Sequence, residues 1–104
     1  MTQHIGLCLI NEQNEIKENS VVNFACVNRA LYADPKNEQK YSWLWTIDEY
    51  DNTIFNRLQI PHVISELSEF RDEVSDQEVV GEIDLTIEFL RKVGDLQYAK
   101  FVGD

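Results

Sequence analysis

Apolar and polar positions alternate along this chain in two distinct rhythms. His4–Ile10 (HIGLCLI) is apolar on both alternating faces, the pattern of a strand covered on both sides or lying centrally in a sheet. Asn11–Glu15 is polar and contains two Asn, which tolerate the left-handed turn conformation. Ile16–Phe24 then reads as a returning strand that completes a hairpin. The same region also fits a helix capped by Ser20, with Phe24, Val27 and Leu31 at helical spacing and a stop before Pro35. The hairpin is the preferred reading, and residues 16–32 stay open between strand and helix.

Ala33–Lys40 (ADPKNEQK) has the composition of a surface loop. Tyr41–Ile47 (YSWLWTI) is dense in aromatics and reads as a short helix or a buried irregular stretch, Asp48–Asn52 as a turn, and Thr53–Ile60 as either extended or helical. Pro61 suits the first position of a helix, where its missing N–H has no partner to lose. Val63, Leu67, Phe70 and Val74 follow at helical spacing with Ile64 widening the stripe, and Glu66, Glu69, Asp72 and Glu73 occupy the opposite face. Ser75-Asp76-Gln77-Glu78 has the form of a capping box that starts a second helix. Val79, Val80, Ile83, Ile87, Phe89, Leu90 and Val93 cover about half its circumference, which predicts the more buried helix of the two. Gly94 suits the residue after its end, and Leu96–Val102 closes the chain as a strand. The sum is a single α+β domain over residues 1–104: a small, mainly antiparallel sheet packed by two C-terminal antiparallel helices.

Charge narrows the function classes. Nineteen acids against nine bases give a formal net charge of −10. Such a field repels the phosphate backbone of DNA or RNA and disfavours an anionic membrane surface. It favours solubility, and it steers a basic protein toward the chain. From Glu66 to Glu88 the acids Glu66, Glu69, Asp72, Glu73, Asp76, Glu78, Glu82, Asp84 and Glu88 face only Arg71 as a counter-charge. A merely solvated helix face mixes signs, because Glu–Lys pairs one turn apart stabilise and like pairs destabilise. A one-sign face is what a basic partner would need. Trp43, Trp45, Tyr41, Tyr50 and Phe55 lie close along the chain beside acids, and Trp and Tyr dominate interface energetics. They also suit a cap on the core under the 34–40 loop, with Trp43 and Trp45 projecting to opposite sides. The candidate partner-binding residues are therefore Glu66, Glu69, Asp72, Glu73, Trp43, Trp45 and Tyr50.

Chemistry is harder to place. Asp48, Glu49 and Asp51 could bind a hard cation or act as acid and base, with His62 nearby in sequence, but no EF-hand pattern surrounds them and Asp is a common turn residue. His4 and His62 lack H-E-x-x-H or zinc-ligand spacing. There is no G-x-S-x-G elbow, and four scattered Gly form no phosphate loop. Cys8 and Cys26 are not a C-x-x-C pair; each sits in an apolar run, where a free Cys behaves as a small hydrophobe. These absences point away from catalysis and imply no catalytic residue, metal or cofactor. Met1–Ile10 has no basic start or long apolar stretch, and no run approaches the ~20 apolar residues of a membrane span, so the cytoplasm is the expected compartment.

The segment Ile47–Ile60 resembles a stretch of the form I-D-x-Y-x-x-T-x-F-N-R-L-Q in small bacterial proteins of uncharacterised activity. In those proteins it leads into a helix like Pro61–Phe70, and the chain often ends in an F-V-G-D-like strand, as Phe101–Asp104 does here. The resemblance spans roughly a third of the chain and implies no catalytic residue. Glu49 and Asp51 stand where Pro and Gly are common, which makes this turn more acidic and less constrained. By size and charge alone the chain also resembles immunity proteins, which neutralise a toxic nuclease by covering its basic active site. That resemblance implies an acidic binding module with a basic protein partner. Two alternatives stand beside it: a small metal-dependent enzyme or ligand-binding protein using Asp48, Asp51 and His62, and a homo-oligomeric structural subunit.

Overall fold

Alternation along the first strand divides its side chains between two environments. In the computed structural model, which describes residues 3–104, Leu7 and Leu9 of strand β1 (Gly6–Asn11) enter the hydrophobic core, while Cys8 and Ile10 point to the other face of the sheet. β1 pairs antiparallel with β2 (Ile16–Asn19) on one side and with the C-terminal strand β4 (Gln97–Val102) on the other. β3 (Asn52–Asn56) pairs antiparallel with the far edge of β4, giving a four-stranded sheet of order β2-β1-β4-β3. The central position expected for the first strand is what the sheet provides. Helices α1 (Ala25–Tyr32), α2 (Asn37–Lys40), α3 (Ser42–Trp45), α4 (Ile60–Glu73) and α5 (Gln77–Leu90) complete the α+β fold.

The open choice over residues 16–32 resolves into both elements in succession. The hairpin forms because Asn14 adopts φ 63° and the Asn11 side-chain oxygen accepts from the Gln13 and Glu15 amides at 3.0 and 2.9 Å. β2 ends after four exposed residues. There the Ser20 hydroxyl donates to the Leu7 carbonyl at 2.7 Å and accepts from the Val22 amide at 3.1 Å, turning the chain off the sheet. Ser20 therefore does not cap a helix. α1 opens after Asn23, whose side-chain oxygen accepts from both Ile5 and Ala25 amides at 3.1 Å.

Other expectations shift by smaller amounts. The 33–40 loop contains α2, with Asn37 buried and its side-chain Nδ2 donating to the Leu31 carbonyl at 2.8 Å. Tyr41–Ile47 takes the helical alternative: Tyr41, Leu44 and Ile47, three residues apart, are all fully buried. Thr53–Ile60 is extended as far as Asn56 and becomes helical at Ile60. The cap of α5 is Asp76, not Ser75: its carboxylate accepts from the Glu78 amide at 2.9 Å, and Ser75 lies in the extended link before it. Asp is as good an N-cap as Ser, so adjacent candidates are separated only by backbone geometry. α5 ends at Leu90 with Arg91 as its C-cap, so Gly94 is not the residue that follows it; the left-handed position is Leu96, φ 61°. As expected, α5 buries more of its surface than α4, contributing Val79, Ile83, Ile87, Phe89 and Leu90 to the core.

One core joins these parts. α1, α3, α4 and α5 all place side chains against Leu7, Leu9, Phe55, Ala99 and Phe101, so the helical layer covers one face of the sheet and is broader than the two C-terminal helices. Among the described residues no helix is long and apolar enough to cross a membrane.

Candidate functional site

Two aromatic side chains from separate helices meet at one end of the helical layer. Tyr32 closes α1 and Trp45 closes α3, and their rings stack with centroids 4.0 Å apart and planes 5° from parallel. The Tyr32 hydroxyl donates to the Trp45 carbonyl at 2.5 Å, which fixes the pair. Tyr32 is 43% exposed and Trp45 half-buried, so the stack is a surface feature with an anchored base. Burial, followed by the charges of Asp48, Glu49 and Glu38, raises the Tyr32 pKa. The charges of those three carboxylates are thus felt at the phenol. Tyr50, 71% exposed, projects from the same 48–52 turn.

The turn is held from several directions. The buried Asn28 of α1 donates its side-chain amide to the Ile47 carbonyl at 3.1 Å. Asp48 accepts from the Tyr50 amide at 2.8 Å and Asp51 from the Asn52 amide at 2.7 Å, each through its own carboxylate. From the other side, the Gly103 amide donates to the Asp51 carbonyl at 3.0 Å and the Asp104 amide to the Glu49 carbonyl at 2.8 Å. The tail approaches so closely that a Cβ at position 103 would lie 2.5 Å from the Asp51 carbonyl oxygen. Glycine is required there by proximity. The segments Ile47–Ile60 and Phe101–Asp104, remote in sequence, thus pack on one another.

The sequence-selected residues distribute unevenly. Trp45 forms the stack, and Tyr50 is exposed on the 48–52 turn that follows α3. Trp43 turns away, stacking on His62 with centroids 5.3 Å apart and meeting Phe55 edge-on at 6.4 Å. Trp43 and Trp45 thus do go separate ways, but both are half-buried; neither is fully inward. Glu66 departs from the outward face expected of it: half-buried, it accepts from the Leu44 amide at 3.0 Å, and burial raises its pKa. Glu69 and Asp72 are exposed on α4. Glu73 is exposed but pairs with Lys40, and Asp84 of α5 pairs with Arg71 at 2.6 Å. The acids of α4 and α5 are therefore interrupted by these two cations.

For the metal-dependent alternative, His62 stacks on Trp43 while Asp48 and Asp51 each engage a backbone amide of the turn. Among the described residues no three His, Cys, Asp or Glu side chains are grouped to hold a metal ion. Cys8 and Cys26 are free thiols, each with its pKa raised chiefly by burial, the reverse of what a reactive thiolate requires. The geometry supplies a surface for contact: a partly exposed aromatic stack next to an acidic turn. Tyr32 was missed because its partner lies thirteen residues on, and its only sequence signal is a place one residue beyond buried Leu31. No family model, curated protein or solved structure matches the chain.

Proposed function

We propose that this chain is a cytoplasmic, acidic protein-binding module, an immunity-type inhibitor that covers the basic surface of a nuclease-like toxin. The observation carrying this reading is the stacked, partly exposed Tyr32–Trp45 pair, whose phenol feels the charges of Asp48, Glu49 and Glu38, with Tyr50 exposed on the turn that follows. A guanidinium or ammonium of the partner could lie over an aromatic face while a neighbouring carboxylate takes its charge. Such cation–π contacts contribute about 0.5–2 kcal/mol, more as water is excluded. Glu69 and Asp72 on α4, together with the net charge of −10, supply longer-range attraction that accelerates encounter more than it deepens affinity. An anchored aromatic with a charged rim is the usual composition of a hot spot.

The test is capture from a lysate of the source organism by wild type, Tyr50→Ala, and the double variant Glu38→Lys/Glu69→Lys, at low and at high salt. The substituted side chains are exposed, so folding is expected to survive in each. A basic protein retained in stoichiometric amount by wild type, reduced at least tenfold by Tyr50→Ala and weakened by salt supports the reading. Equal retention by all three proteins overturns it.

A further inference from the structure

Strand β2 is one border of the sheet, and its outer side meets no other strand. Ser20 donates its amide to the Leu7 carbonyl of β1, with Glu18 opposite Leu9 and Asn19 opposite Cys8. Backbone groups alternate in direction along an antiparallel strand, so the amide and carbonyl of Asn19 point away from β1. The amide of Val21, two residues on, makes no hydrogen bond among the described residues. Nearer the hairpin turn the register shifts between Leu9 and Ile10, so the regular part of this border is short. The opposite border is blunted: on β3 the Asn52 amide is taken by the Asp51 carboxylate and the Asn56 amide by the Gln59 side-chain oxygen.

A groove lies beside the β2 border, on the helix side of the sheet. Two contacts tie its ends: Glu18 pairs with Lys92 at 2.7 Å, and the Asn23 amide donates to the Glu82 carboxylate at 3.4 Å. The chain from Glu18 to Asn23 therefore runs antiparallel to α5. Between these ties Leu85 and Phe89, one helical turn apart, and Val21 and Val22 line a concavity of about 220 Å³. Val22 and Phe89 are buried at its base, whereas Val21 is 87% and Leu85 42% exposed. The volume is below the roughly 300–1,000 Å³ of small-molecule sites and suits one or two side chains. Glu88 borders the groove without an ion-pair partner among the described residues. Lys92 is neutralised by Glu18, so the charge left uncompensated in the groove is negative.

We infer that this border and groove form a docking site for an extended segment of a cationic partner protein, which adds as a fifth strand beside β2 and places an apolar side chain between Val21 and Leu85. Strand addition takes its affinity from main-chain hydrogen bonds and its selectivity from pockets for alternate side chains. Asn19 and Val21 supply the bonds, and the groove supplies the pocket. Charge specifies the rest of the segment. Glu82 and Glu88 lie about 9 Å apart along α5, and side chains four residues apart on a strand lie about 13 Å apart. Lysines two residues before and after the apolar one project to the same face, and their flexible stems span the difference. A second copy of the chain would bring another net charge of −10 to this border, whereas a cationic segment compensates the carboxylates already there. The site shares no residue with the Tyr32–Trp45 surface and does not depend on the function proposed for it.

Two-dimensional NMR of the nitrogen-labelled full chain, titrated with the capped peptide KTLTK, tests the inference without a natural partner. Saturable shifts are expected at the Asn19, Val21 and Leu85 amides at millimolar peptide, with slowed hydrogen exchange at Asn19 and Val21. Val21→Ser and Leu85→Asn should each weaken binding at least fivefold, and Glu88→Gln at least threefold. Asp72→Asn removes the same charge from α4 and should leave binding unchanged. The peptide ETLTE reverses the charge, and KTLTK methylated at every backbone nitrogen has no donors left, so neither should bind. Absence of shifts with KTLTK overturns the inference. Equal binding of the methylated peptide also overturns it, by reducing the contact to unspecific charge attraction. So does protection of Asn19 and Val21 that grows with protein concentration alone, which would assign the border to a second copy. The two control peptides act on the unaltered protein, so misfolding of any variant leaves them to decide.

Discussion

Replacing Gly103 by alanine should detach the C-terminal tail from the 48–52 turn. The new Cβ would lie 2.5 and 2.6 Å from the Asp51 carbonyl oxygen and amide nitrogen, and 2.8 Å from the Asp48 carbonyl oxygen. All three are backbone atoms, so no change of rotamer relieves the contact. The turn is poorly placed to retreat, because fully buried Ile47 precedes it with its carbonyl held by Asn28. The tail must move instead, surrendering the Gly103-to-Asp51 and Asp104-to-Glu49 hydrogen bonds. Two such bonds contribute about 0.5–1.5 kcal/mol each, so the expected loss is about 2 kcal/mol. For a domain of this size that lowers the thermal midpoint by about 10 °C. Thermal unfolding followed by circular dichroism measures it, and removal of Gly103 and Asp104 is the matching control, since it deletes the same two bonds without the clash. A variant that melts with wild type refutes the reasoning, because the close approach of tail to turn would then not exist in solution.

Tyr41→Phe should stabilise the protein by about 1 kcal/mol, read from denaturant unfolding, because the Tyr41 hydroxyl is buried without a hydrogen-bond partner and its removal ends that desolvation cost; a loss of stability would show that the hydroxyl is satisfied in solution. Glu66 has a folded pKa raised by burial, so its ionised form opposes folding at neutral pH and that penalty is relieved as pH falls through the folded value. Glu66→Gln keeps an acceptor for the Leu44 amide, so the stability of wild type relative to this variant should rise on acidification; a difference independent of pH between neutrality and mild acid would remove the assignment.

What could be read from the chain depended on how far apart the interacting residues lie. α4 was legible because Pro61 and the Val63–Leu67–Phe70 stripe are local and periodic, and the structure buries those three apolar side chains. Residues 16–32 were not, because β2 is exposed along its whole length and offers no period. Its end is set by Ser20 bonding to Leu7 and by Asn23 bonding to Ile5, contacts that span 13 and 18 residues. The cap of α5 was missed by one position because Ser75 and Asp76 are both good caps, and only the bond to the Glu78 amide chooses between them. Within the candidate site, Trp45, Tyr50 and Asp48 stood out by type, whereas Tyr32 and Gly103 take their roles from neighbours that folding supplies.

Charge shows the same division between what is local and what is assembled. The excess of acids is plain in the sequence, but its placement is tertiary: Lys40 reaches Glu73, Arg71 reaches Asp84 and Lys92 reaches Glu18, each across elements. These pairs are exposed and individually contribute at most about 1 kcal/mol, so their main effect is on the field. They neutralise parts of the helical layer and leave Glu69 and Asp72 of α4, Asp76, Glu78, Glu82 and Glu88 at and along α5, and Glu38, Asp48 and Glu49 outside any such pair. The period-two alternation of the strands also sends Glu18 to the helix side of the sheet, where it meets Lys92. A single composition thus yields surfaces of unequal charge, and their arrangement follows from the fold rather than from the number of charges.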